Sequence, residues 1–261
     1  MTLLTILRLY VALIGTLILF ISKGVYNSTI SIGQSLNLGL GAIDQALLLF
    51  GEDSELDIGA IALLVNLPQI GISMLYFLYN GFYSSMLMSY EWVSYAHKRK
   101  GLRVSCKPKG AQRSTYFLSI PYRFGVPLVA LSATLHWLVS QTIFIVAIDV
   151  FAKDGSKSIT RRTCGWSPLG LMLTIIVLGL MLLTILCCTG LVYKSGMPLA
   201  GVSSLAISAA CHSRDQYRLE ERLVSQRELK WGVIETSVDG VGRCAFSSRE
   251  VAPLVKGNLY K

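Results

Sequence analysis

The sequence predicts an all-α integral membrane protein, with about four transmembrane helices and a small, partly β cytoplasmic lobe. Three observations predict it. Of 261 residues, 52% are hydrophobic and 15% charged, with mean hydropathy +0.54, a balance outside the soluble globular range. No Asp, Glu, Lys or Arg occurs from Ile58 to Tyr90, from Phe124 to Ile148 or from Thr163 to Tyr193, and each gap exceeds the roughly 20 apolar residues that cross a bilayer. The remaining charge is unevenly divided. Residues 91–123 hold eight basic side chains against Glu91 alone, whereas 23–57 hold Lys23 against Asp44, Glu52, Asp53, Glu55 and Asp57. This composition excludes a secreted disulfide scaffold, a soluble nucleic-acid binder and a disordered tail.

The first helix is expected over 1–22, with Arg8 snorkelling to the near interface. The alternative is a cleaved signal peptide with Arg8 as its positive region and Leu9–Ile21 as its apolar core. An outer loop follows over 23–59, with a sequon at Asn27-Ser28-Thr29 close to the membrane. The second helix is expected over 60–89, with Pro68 kinking or starting it. Residues 90–123 form a basic loop, 124–148 the third helix, 149–167 a second outer loop and 168–193 the fourth helix.

The positive-inside rule puts the basic loop and both termini in the cytoplasm. The dissenting outer loop carries Lys153, Lys157, Arg161 and Arg162. Of the net charge of +9, the basic loop supplies +7 and the tail from 194 holds ten basic against seven acidic residues. Anionic inner-leaflet lipid is the expected partner, contacted by Lys98, Arg99, Lys100, Arg103, Lys107, Lys109 and Arg113. A protein partner at the lobe fits as well, and nucleic acid is not needed to explain the charge. Cys187 and Cys188, near the inner end of the fourth helix, suit palmitoylation or simply pack as small apolar residues.

Within the basic loop, Leu102–Ser105 and Gln112–Leu118 read as strands of a hairpin around Lys107-Pro108-Lys109-Gly110. Residues 195–211 are charge-free but too mildly hydrophobic for a fifth span, and read as re-entrant or interfacial. A charged helix over Ser213–Leu229 and two strands, Lys230–Glu235 and Gly242–Ser247, complete the tail. Asp239-Gly240-Val241-Gly242 supplies turn chemistry between those strands.

Asn66, Gln69, Ser73, Tyr76, Asn80 and Tyr83 recur at spacings of 3 and 4, so all six share one face of the second helix. Such a stripe must face protein or water, because lipid cannot satisfy it. The third helix carries Ser132, His136 and Ser140 at i, i+4 and i+8, with Gln141 beside them. A neutral His136 bonded to Asn80 or Tyr76 is one reading; a substrate or ion path through the two faces is the other. Zinc-protease, nucleophile-elbow, phosphate-loop and dinucleotide motifs are missing, so neither an enzyme nor a cofactor is expected. Cys106, Cys211, His212 and Cys244 lack the spacing of a zinc site, and no metal is expected.

Asn66-Leu67-Pro68-Gln69, Tyr76–Gly81 (YFLYNG), Glu91-Trp92, Gln112–Tyr116, Pro121-Tyr122-Arg123, His136–Gln141 (HWLVSQ), Ile207–His212 (ISAACH) and Lys230–Val233 together resemble one family over residues 60–261. It is the set of uncharacterised fungal multi-pass membrane proteins that carry domain of unknown function 6536. Those proteins are longer, with the named domain upstream. The resemblance implies a fungal membrane protein with no assigned reaction, equivalent to their C-terminal part as a fragment, a truncated gene product or a short paralogue.

Overall fold

A computed structural model describes residues 2–27, 32–42, 47–49, 57–151, 157–199, 203–211 and 224–260. It corrects the all-α expectation. Of the described residues about 54% are helix and 18% strand, the strands in three sheets, which is a mixed α/β fold. Among the described residues three helices, Ile58–Ser94, Tyr122–Thr142 and Pro168–Thr189, are long and apolar enough to cross a membrane. Contacts divide the chain into two units, Met1–Asn80 with Val126–Gly190 and Gly81–Gly125 with Leu191–Lys261.

In the first unit, α1 (Thr2–Asn27) buries Ile6, Tyr10, Leu13 and Leu17, a one-face spacing of 4, 3 and 4. The helix α3 (Ile58–Ser94) starts in this unit and buries Ile61, Ile72, Leu75 and Tyr79. On another face it exposes Leu63, Leu67, Ile70, Met74 and Phe77. An apolar stripe of that length left in water would be costly, which fits lipid contact. The short α2 (Ile32–Asn37) and α1 both pack on α5 (Pro168–Thr189). Ser167 caps α5, accepting from the Gly170 amide at 3.3 Å, with Pro168 in the first turn.

The third predicted span stops short. α4 covers Tyr122–Thr142, six residues short of the expected end at 148, and β4 (Ile143–Phe151) takes over there. Ile143-Phe144-Ile145-Val146-Ala147-Ile148 is rich in β-branched and aromatic side chains, which favour a pleated strand. Absence of charge cannot separate that from helix. β4 pairs antiparallel with β5 (Lys157–Trp166), so the expected outer loop at 149–167 is mostly hairpin. Leu48 bridges to Gly165 on the far side of β5, and Cys164 is fully buried there.

The second unit holds the end of α3, the basic loop and the tail. β1 (Lys100–Gly101), β6 (Glu228–Thr236) and β7 (Gly242–Ser247) form a three-stranded antiparallel sheet in the order β1-β6-β7. Gly240 turns the β6–β7 connection at φ +75°, a left-handed conformation that glycine adopts without strain. The loop hairpin expected around Lys107–Gly110 is corrected. β2 (Arg103–Val104) and β3 (Arg113–Ser114) pair in parallel. The connection between them is drawn onto the tail, where the Ala111 amide donates to the Gln226 carbonyl at 2.7 Å. Tyr95, Met197 and Trp231 make the buried core of this unit, with Trp92 and Phe246 packed around them. α6 (Ser204–Cys211) is eight residues long and packs on β7. The charged helix expected at Ser213–Leu229 falls largely outside the described residues; Glu228 and Leu229 belong to β6. Ser28 and Thr29 of the sequon, Asp44, Glu52, Asp53, Glu55, Lys153 and His212 also lie outside them.

Candidate functional site

Two polar constellations stand out, one in each unit. In the first unit, three of the predicted intramembrane residues meet. Gln69 Nε2 donates to the His136 carbonyl at 3.1 Å, and Gln69 Oε1 lies 2.6 Å from His136 Nδ1. A carbonyl only accepts, so the amide nitrogen must face it and Oε1 must face the ring. Nδ1 therefore carries the proton. In the neutral ring, Nε2 is then the acceptor, and Ser73 Oγ sits 3.5 Å from it while donating to the Gln69 carbonyl at 3.1 Å. The expected partners Asn80 and Tyr76 are replaced by Gln69 and Ser73.

The other residues of that set are dispersed. Asn66 is exposed and donates to the Ala62 carbonyl at 2.8 Å, within its own helix. Ser140 is exposed and donates to the Trp137 carbonyl at 2.7 Å. Tyr76 and Asn80 are half-buried on α3, and Gln141 is half-buried at the end of α4. Sequence reasoning overlooked a deeper pair. Tyr10 and Tyr79 hydroxyls are 2.6 Å apart, both buried, and Tyr10 also donates to the Leu178 carbonyl at 3.3 Å, tying α1, α3 and α5. The signal for Tyr79 was its 4-and-3 spacing from Leu75 and Ile72.

In the second unit, Glu91 is the hub. Arg103 Nε lies 2.9 and 3.0 Å from its two carboxylate oxygens, and Arg113 Nη2 lies 2.7 Å from one of them. Arg103 also donates to the Ser114 carbonyl at 2.8 Å and stacks on the Tyr116 ring at 3.9 Å. Arg113 Nε donates to the Gly101 carbonyl at 3.0 Å, which also accepts from the Tyr95 hydroxyl at 3.0 Å. Burial pushes the Tyr95 phenol up, against the pull of Arg113. Lys100 donates to Ser94 Oγ at 2.6 Å, and burial lowers its ammonium. Arg99 reaches the Ser248 and Arg249 carbonyls at 2.8 and 2.7 Å.

Four of the seven expected headgroup contacts are thus engaged with protein. Lys98, Lys107 and Lys109 remain exposed. Glu91, as the lone acid among eight basic residues, was the available signal for the network.

Residues 2–256 match the family model of a domain of unknown function, DUF8419. No curated protein and no solved structure matches the chain.

Proposed function

The chain belongs to the DUF8419 family, to which no function is assigned, and we propose from its own geometry that it is a non-enzymatic multi-pass membrane interaction or scaffold protein. Its second unit docks on anionic lipid of the inner leaflet, with both termini cytoplasmic. The carrying observation is the division of the basic loop: Arg103 and Arg113 hold Glu91, whereas Lys98, Lys107 and Lys109 are exposed. Exposed lysines near an anionic leaflet contribute about 1 kcal/mol each. The exposed apolar stripe on α3 supports the membrane assignment. Kinship with the fungal proteins that carry domain of unknown function 6536 belongs to the same reading, supported by YFLYNG, HWLVSQ and ISAACH.

The polar cluster supports no hydrolase. Ser73 Oγ lies 3.5 Å from His136 Nε2, but its hydroxyl donates to the Gln69 carbonyl, and Ser73 lies inside α3, where backbone amides are committed to the helix and cannot cradle an oxyanion. A transporter or channel subunit is the second reading, favoured by that cluster lying between α3 and α4. The mutual satisfaction of Gln69 and His136 makes it the weaker one.

The test is lysine footprinting of the full chain in nanodiscs. Lys98, Lys107 and Lys109 are expected to be protected in anionic discs relative to neutral ones, and high salt should erase the difference. Equal reactivity in both discs sinks the docking reading. Flux lost on replacing His136 by leucine, with the fold kept, would favour the transporter.

A further inference from the structure

A half-open cleft of about 800 Å³ lies wholly within the second unit, where residues 96–97, 195–198, 253–258 and 260 converge over Trp231. That volume suits a small-molecule ligand. Its floor is firm. Met197 and Trp231 belong to the buried core, the Trp231 amide donates to the Tyr95 carbonyl at 3.0 Å, and Trp92 Nε1 donates to the Pro198 carbonyl at 3.0 Å. Pro198 and Leu254 add apolar wall. The described lining has two side chains able to carry positive charge, the exposed His97 and Lys256, and no carboxylate. Trp231 is only 7% exposed, so it is a wall and not a platform on which a base could stack.

We propose that this cleft binds an anionic amphiphile, with its acyl chain against Met197, Trp231 and Leu254 and its head between His97 and Lys256. Charge complementarity selects the head, and the apolar floor rejects a fully hydrated anion. The inference rests on the lipid-facing reading of the second unit and extends it from leaflet contact to capture of a single molecule. Carboxylate and phosphate heads share this chemistry, so a free fatty acid and an anionic phospholipid are the two sources.

The experiment uses the full chain in neutral phosphatidylcholine nanodiscs with three diazirine-bearing probes: palmitate, phosphatidylserine and phosphatidylcholine. Adducts are mapped by mass spectrometry. An anionic probe should label 195–198 or 253–258, and the double variant His97→Glu, Lys256→Glu should cut that labelling about tenfold. Labelling by palmitate alone identifies a fatty acid, by phosphatidylserine alone a phospholipid. Leu254→Trp, which fills the cleft and keeps the charge, should abolish both. Changing Lys98, Lys107 and Lys109 to Glu should leave labelling intact while removing leaflet docking, so the two readings fail separately. Equal labelling by phosphatidylcholine, adducts confined to other segments, or undiminished labelling in the double variant overturns the proposal.

Discussion

Replacing Glu91 by Gln tests how the second unit is held together. The side chain keeps its size and one acceptor oxygen but loses the charge that two guanidiniums converge on. Three N–H···O contacts of 2.7 to 3.0 Å are affected. Fully buried, each charge-assisted bond would contribute about 1.5–3 kcal/mol. The side chains of Arg103, Glu91 and Arg113 are 22%, 23% and 36% exposed, and solvent screening reduces the set to about 2 kcal/mol in total. That is roughly a thirtyfold change in an opening equilibrium. Hydrogen–deuterium exchange on the full chain reads it directly. Amides of β6 at 228–231, where Glu228 and Leu229 pair with β1 and the Trp231 amide donates to the Tyr95 carbonyl, should exchange about thirtyfold faster. Those of α5, in the other unit, should not change. Unaltered protection in β6, or equal loss in α5, would refute the hub role of Glu91.

Three further outcomes follow from the geometry. Gln69→Leu removes both bonds to His136 and should cost about 1 kcal/mol, the usual scale for hydrogen bonds between membrane helices, seen as a lower thermal midpoint in detergent; an unchanged midpoint would count against the cluster. The buried Cys164 thiol, pushed up to about 11 from 9.0, should carry about a hundredfold less thiolate than an ordinary cysteine and react with maleimide at least that much more slowly; prompt labelling in the folded protein contradicts it. Tyr95 favours its neutral form in the fold, so its contribution is intact below pH 10 and is lost as pH rises above that. Lys100, shifted down, works the other way, its penalty easing as pH climbs towards 10.5. Tyr95→Phe should therefore flatten alkaline loosening of β6, measured by exchange against pH, and a loss as steep as in the parent chain would refute it.

Much of this was legible in the residues, and the misses have physical reasons. The gap in charge from Phe124 to Ile148 marks burial in something apolar, but helix and strand satisfy that equally, and the β-branched run after Thr142 decides for strand. The polar face of α3 followed from spacing alone. Which member His136 meets depends on the axial register of α4 against α3, which no local pattern encodes, so Gln69 and Ser73 took the place of Asn80 and Tyr76. The basic loop is surface only in part: Lys98, Lys107 and Lys109 are exposed, whereas Arg103 and Arg113 turn to Glu91 because a half-buried carboxylate needs partners. The tail strands were visible because Gly240 punctuates alternating runs. The parallel pairing of β2 and β3 was not, since it depends on the distant segment at 225–226 that captures the connection.

We propose that the basic second unit lies on the cytoplasmic side of a membrane, and that sidedness can be read at a single residue. Cys106 is exposed within it, three residues from Arg103. Labelling with a membrane-impermeant maleimide, resolved by mass spectrometry in intact and permeabilised cells, asks the question at that one atom. Cys106 is expected to stay unmodified until the membrane is opened. Full labelling in intact cells would put the unit outside and contradict it.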